Sequence, residues 1–172
     1  MAINSHYSQR CNFLGRPPSG FTLLEILISL LILSVGLLGL AGLQVNGLHS
    51  NQDSYVLTQA MAQAYDMTDR IRANTVGFTA GYYNNIAPTI PSTDPGCATT
   101  ACSSADMASH DAYQWNTANL NLLPNGKGTV TTSGNTRIIT VMWDQLRNGA
   151  TGTGCGGNPA VDLTCFKTSF QP

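Results

Sequence analysis

Residues 21–43 read FTLLEILISLLILSVGLLGLAGL, and this run constrains the fold more than any other part of the chain. From Ile26 to Leu43 there are 18 residues without a formal charge, which meets the length of a membrane-crossing helix. About 20 helical residues cover ~30 Å at ~1.5 Å per residue. A cleaved secretory signal fits poorly. The run exceeds the usual apolar core of such signals, and the Ala41 region offers no small-residue cleavage site. A retained anchor fits better. Arg10 and Arg16 precede the run, and Asp53 is the first charge after it, so the basic end stays inside and the C-terminus points outward. The first 20 residues, MAINSHYSQRCNFLGRPPSG, contain Pro17, Pro18 and Gly20 and cannot be one continuous helix.

Glu25 is the anomaly of the run. A carboxylate at the centre of a membrane helix costs about 2.5–3.5 kcal/mol, and less near its end. One account places Glu25 a turn from the helix start, within reach of headgroups. The other gives it a cationic partner. A free α-amino group on Phe21 of a neighbouring chain would serve, provided the chain is cut between Gly20 and Phe21.

The junction Gly20-Phe21-Thr22-Leu23-Leu24-Glu25, between a short basic leader and a long apolar run, resembles the processing signal of type IV prepilins. The resemblance implies that a prepilin peptidase cuts after Gly20 and methylates Phe21 as the new terminus. It also implies that Glu25, fifth in the mature chain, assists docking onto a filament.

Beyond Leu43 the pattern turns amphipathic. Val45, Leu48, Val56, Ala60, Ala64, Met67 and Ile71 share one helical face, and Asp66–Arg70 forms an i,i+4 pair in the favoured order. Helix is expected from about Thr22 to Asn74. Gly36, Gly39, Gly42 and Gly47 fall within it, each costing about 1 kcal/mol relative to Ala. They mark either a place to bend or a close packing surface.

The remainder is polar. Asn74 to Pro95 reads as an extended connection, rich in Gly, Asn and Pro. A helix is expected from about Ser104 to Leu122, capped by Ser103 or Ser104, with Ala108, Ala112, Trp115 and Leu122 on its inner face. His110 reads as an exposed position on it. Strands are expected at Gly128–Thr132, Arg137–Trp143 and Thr164–Phe170, the last with Phe166 and Phe170 on one face. Trp115 and Trp143 read as core anchors. GTGCGG at 152–157 matches a phosphate-loop spacing, but no strand feeds it and no helix follows, so it reads as a flexible loop.

Cys11 falls in the leader, leaving Cys97, Cys102, Cys155 and Cys165. An even number in a translocated part suggests two disulfides with three possible pairings. The local ones, Cys97–Cys102 and Cys155–Cys165, each bracket a turn-rich loop and are preferred. The spacings are irregular for zinc, the histidines make no metal or triad pattern, and neither a metal, a cofactor nor an enzymatic activity is expected. Charged residues make up 10% of the chain. Loss of the leader leaves six basic side chains against nine acidic ones, which does not favour nucleic acid.

The segments Asp69-Arg70-Ile71-Arg72-Ala73-Asn74, Cys102…Asp106…Trp115, Leu122-Leu123-Pro124-Asn125-Gly126 and Ile139-Thr140-Val141…Trp143-Asp144 resemble minor pilins called type IV pilus modification protein PilV. The expected fold is α+β and type IV pilin-like. A long N-terminal helix, apolar in its membrane half, packs its outer half on a small antiparallel sheet with one short extra helix. The expected divisions are a removed leader (1–20), a membrane and filament-core helix (21–43), its amphipathic continuation (44–74) and a periplasmic part (75–172). The implied partners are other minor and major pilins, the prepilin peptidase and the inner-membrane assembly platform. The implied location is the bacterial inner membrane, then the pilus. A type II secretion pseudopilin would share the same N-terminus. A pilus-borne adhesin or DNA-uptake module, or an unrelated single-pass anchored protein, would differ in what the polar part does.

Overall fold

The computed structural model describes residues 20–171. Helix α1 runs Leu23–Ala73, α2 Thr75–Thr79 and α3 Ser104–Leu122; strands are β1 Lys127–Ser133, β2 Thr136–Trp143 and β3 Thr164–Phe170. The sheet is antiparallel in the order β1-β2-β3. The chain divides into two compact units at Asn46 and Gly47.

The second unit is built on the apolar stripe of α1. Ala60, Ala64, Met67 and Ile71 are buried, and Val56 packs against them. The two alanines permit close approach, and Met67 and Ile71 fill the space further along the helix. Leu48, on the same stripe, is exposed. Opposite this stripe stand Ile139, Val141 and Trp143 of β2 and Trp115 of α3, all in one cluster. Trp115 is fully buried, and its indole N–H donates to the Gln63 carbonyl at 2.8 Å, joining α3 to α1. Gly128 of β1 lies against the Trp115 ring. A Cβ there would come within 2.4 Å of it, so only glycine lets strand and ring meet.

Strand β2 is buried on both faces near its end, where Met142 joins Ala150 and Leu163 in a second small cluster. That two-sided burial explains why RIITVMW is nearly continuous in apolar character instead of alternating. The β1–β2 hairpin turns at Gly134, whose φ of 58° suits the first position of a two-residue hairpin turn.

Several local expectations need correction. His110 is buried at 6% exposure, not exposed, because the 80–103 connection folds back over α3 and sets Asp94 against its Nδ1. The Asp94 carboxyl is held below its usual range, first by the Gly96 backbone N–H and then by His110. Leu122 is 48% exposed and Leu123 takes its place at 2%. The helix stops at Leu122, and the extended Leu123 backbone turns that side chain inward. The 74–95 connection is not wholly extended either. It holds α2, capped by the Asn74 carbonyl oxygen of its side chain, and a β-bridge from Ile86 to Val130. The GTGCGG segment wraps the Asp162 carboxylate, which accepts from the Gly154 and Asn158 N–H groups. A Cβ at Gly152 or Gly154 would come within 2.5 Å of that carboxylate, so the glycines serve an internal anion.

A polar network of which the sequence disclosed only the Asp66–Arg70 pair fixes α3 on α1. Arg70 donates to Asp66 at 2.8 Å, to Asp111 at 3.1 Å and to Gln114 at 3.1 Å. The Tyr83 hydroxyl donates to Asp111 at 2.5 Å and accepts from Asn74 Nδ2 at 3.0 Å. Burial, followed by the hydrogen bond to Asp111, pushes the Tyr83 hydroxyl pKa upward, so it stays a donor throughout the physiological range. Of the three cysteine pairings the structure has Cys97–Cys102 and Cys155–Cys165.

Two outcomes are expected. Tyr83→Phe leaves one oxygen of the buried Asp111 without its donor and should cost about 1–3 kcal/mol in urea denaturation; an unchanged midpoint would show that the network carries no stability. Replacing both Cys155 and Cys165 by Ser should cost about 2–3 kcal/mol. Non-reducing peptide mapping checks the pairing, and a Cys97–Cys155 fragment would contradict it.

Candidate functional site

The site begins where the described chain begins. Gly20 and Phe21 are exposed, Phe21 to 79%, and a Cβ built on Gly20 meets nothing within 4 Å. The junction is therefore open to another molecule. Arg10, Arg16 and Cys11 lie outside the described residues.

Thr22 starts the helix immediately after the junction. Its hydroxyl accepts from the Glu25 N–H at 3.2 Å, and its carbonyl accepts from Glu25 and Ile26. This leaves Glu25 in the first turn of α1, where a negative charge complements the helix dipole. Glu25 is exposed and has no cationic side chain bonded to it among the described residues. The carboxylate is thus positioned by the helix and left available.

From Leu23 to Leu43 the helix is apolar on every side. Leu27, Ile28, Leu30 and Leu31 occupy successive directions around the axis, and each is at least half exposed. A helix apolar all round requires lipid or other protein around it. It is long and apolar enough to cross a membrane. Its two hydroxyls within the run are satisfied internally, with Ser29 donating to the Glu25 carbonyl and Ser34 to the Leu30 carbonyl. Such back-bonding hides polar groups that lipid could not solvate.

Gly36, Gly39, Gly42 and Gly47 are all helical, and a Cβ at any of them would meet open space. No packing among the described residues requires their small size. What remains is a softer helix axis, or close approach by something outside the chain.

The structure thus places Gly20, Phe21 and Glu25 together at one end of the apolar helix. The four cysteines belong to the other compact unit and staple its loops. Nothing in the sequence pattern pointed to Tyr83, Asn74 or Asp111 as a joint; their partners are 9 to 41 residues apart.

Comparison with known families gives two adjoining matches. Residues 16–41 match the prokaryotic N-terminal methylation motif. Residues 42–113 match the family described as type IV pilin Tt1218. No curated protein and no solved structure matches the chain. The methylation motif spans the Gly20–Phe21 junction and Glu25, and the pilin match covers the remainder of α1, the 74–103 connection and the first half of α3. The long helix, the three-stranded antiparallel sheet and the further helix are consistent with a type IV pilin fold, and over residues 16–113 the chain is similar to type IV pilins and carries a prepilin-type methylation motif.

Proposed function

We propose that the chain is a minor type IV pilin, of the kind called type IV pilus modification protein PilV, and that it helps prime pilus assembly with other minor pilins. The reading rests on one observation above all. An exposed Gly20–Phe21 junction leads at once into an apolar helix whose first turn carries Glu25, with no cationic side chain bonded to it among the described residues.

In this reading a prepilin peptidase removes residues 1–20 on the cytoplasmic side and methylates Phe21. Residues 21–43 then hold the subunit in the bacterial inner membrane by a single pass. Residues 44–74 continue the helix, and 75–172 stand in the periplasm, where the disulfides form. On extraction by the assembly platform, the same apolar surface leaves lipid for the sides of neighbouring pilins. Glu25 then meets the terminal amine of another subunit, and its charge is neutralised where no water is left to solvate it.

Processing is tested by mass spectrometry of the mature N-terminus. The expected species begins with methylated Phe21, and Gly20→Leu should leave the leader attached. A cut near Ala41 would overturn the reading. Docking is tested separately. Glu25→Ala removes an intramembrane charge and should insert at least as well as the parent. It should enter pili at a small fraction of the parent level, read by immunoblot of sheared pili. Normal incorporation would remove Glu25 from assembly. Co-purification with major and minor pilins, as against secretion pseudopilins, assigns the machinery.

A further inference from the structure

The two edges of the sheet are treated differently. The outer edge of β1 is occupied: Ile86 and Val130 exchange backbone hydrogen bonds at 2.9 and 3.2 Å, and Thr132 donates to the Asn84 carbonyl. The outer edge of β3 has no backbone partner among the described residues. Thr164–Phe170 therefore presents a row of free N–H and C=O groups.

At the end of that edge lies a cavity of about 380 Å³, lined by Ile71, Arg72, Thr75, Phe78, Phe170 and Gln171. Its two rings are each stacked by a guanidinium. Arg72 lies 5.3 Å from the centroid of Phe170, and Arg137 lies 4.5 Å from that of Phe78. Arg137 pairs with Phe170 across the β2–β3 register. It is only 7% exposed, its Nε is buried without a hydrogen-bond partner, and no carboxylate pairs with it among the described residues. Burying a guanidinium without an anion is costly. The spare capacity of this corner is thus an anion beside apolar surface.

We propose that the β3 edge binds an extended segment of another protein, one that carries an Asp or Glu flanked by apolar residues. The segment adds to β3 as a fourth strand. Strand addition sets alternate side chains of the newcomer on the face that holds Phe166 and Phe170. The apolar side chain beside Phe166 continues the core, and the carboxylate beside Phe170 enters the field of Arg72 and Arg137. A second copy of β3 is a poor occupant. TCFKTSF contains no acid, so a second copy brings no carboxylate to Arg72 and Arg137, and antiparallel pairing sets the two Lys167 side chains on one face, opposite Phe166 and Phe170. The inference concerns this edge alone and stands apart from the pilus-priming role.

The test uses the full chain in dodecylmaltoside micelles and a short fluorescein-labelled peptide of alternating Thr and Val with a central Glu. Anisotropy should rise saturably. The same peptide with Gln in place of Glu should bind about tenfold more weakly, and one N-methylated at alternate amides should not bind. Arg72→Gln and Arg137→Met should each erase the Glu-over-Gln preference while the melting temperature stays within the parent's range. Arg147→Gln, remote from the edge, should keep it. Equal binding of the Glu and Gln peptides overturns the carboxylate, and undiminished binding of the N-methylated peptide overturns strand addition. A concentration-dependent dimer in sedimentation, lost when the peptide is added, would make the occupant another copy and overturn the proposal as stated.

Discussion

The second compact unit depends on the stripe Ala60, Ala64, Met67 and Ile71. Together with Thr68 it makes up the buried part of α1, and the core of the unit assembles against it. Spacing of four, three and four residues holds these side chains on one side of the helix. Two alanines followed by two long side chains give that side a step. Into it fit Trp115 from α3 and the inward residues of β2. The same helix, earlier in the chain, lacks any such asymmetry. Its surroundings must change from lipid or protein on all sides to a core on one side, and the sequence accomplishes this by exchanging Leu and Ile for Asn, Gln, Ser and Asp on the remaining faces.

A stripe of small residues buries little area, so the joint needs reinforcement. Arg70 sits at the end of the stripe and reaches both Asp66 on its own helix and Asp111 on α3. Asp111 is nearly buried and would be costly alone. Arg70 on one oxygen and Tyr83 on the other satisfy it. Tyr83 is itself held by Asn74, which also caps α2 and donates to the Ser104 carbonyl at the start of α3. A chain of side chains thus connects the end of α1, the connection that follows it and the beginning of α3. The Cys97–Cys102 bridge closes the connection beside this network.

Much of this was legible in the sequence because it rests on local periodicity. The apolar run, the continuing stripe, α3 with its Ser103 cap, and three strands bounded by Gly and Pro are each set by neighbours in sequence. The Gly20–Phe21–Glu25 constellation was legible for the same reason, being six consecutive residues. What was missed depends on the fold. His110 carries no sign of its burial, since the residue that covers it, Asp94, is 16 positions away in a Pro-rich stretch. Asp111 shows no sign of its role either, since its partners Arg70 and Tyr83 are 41 and 28 positions away. Leu122 and Leu123 are adjacent, and which of them faces inward is decided by where the helix stops. Arg137 reads as the opening residue of a strand, and only the register with Phe170 and the ring of Phe78 reveal a buried cation.

The scarcity of charge then takes on a meaning. In the second unit carboxylates mostly serve as internal acceptors. Asp144 holds the N–H groups of Asn148 and Gly149, Asp162 those of Gly154 and Asn158, and Asp94 that of Gly96 together with His110. Each organises a loop that has little apolar material of its own, which is how a chain rich in Gly, Asn and Thr obtains fixed loops without a large core. Lys127 is similarly used, donating to the Thr151 carbonyl. With the acids so committed, the net charge of the chain is a poor guide to its surface. The corner of Arg72 and Arg137 stands out against this background. There the chain has placed two cations on two rings, and among the described residues the one carboxylate paired with either is Asp69, at 3.7 Å from Arg72 and largely in solvent. An exposed pair of that kind contributes little. Among the described residues no carboxylate satisfies Arg137, and the free edge of β3 is the side from which the proposed extended segment would bring one.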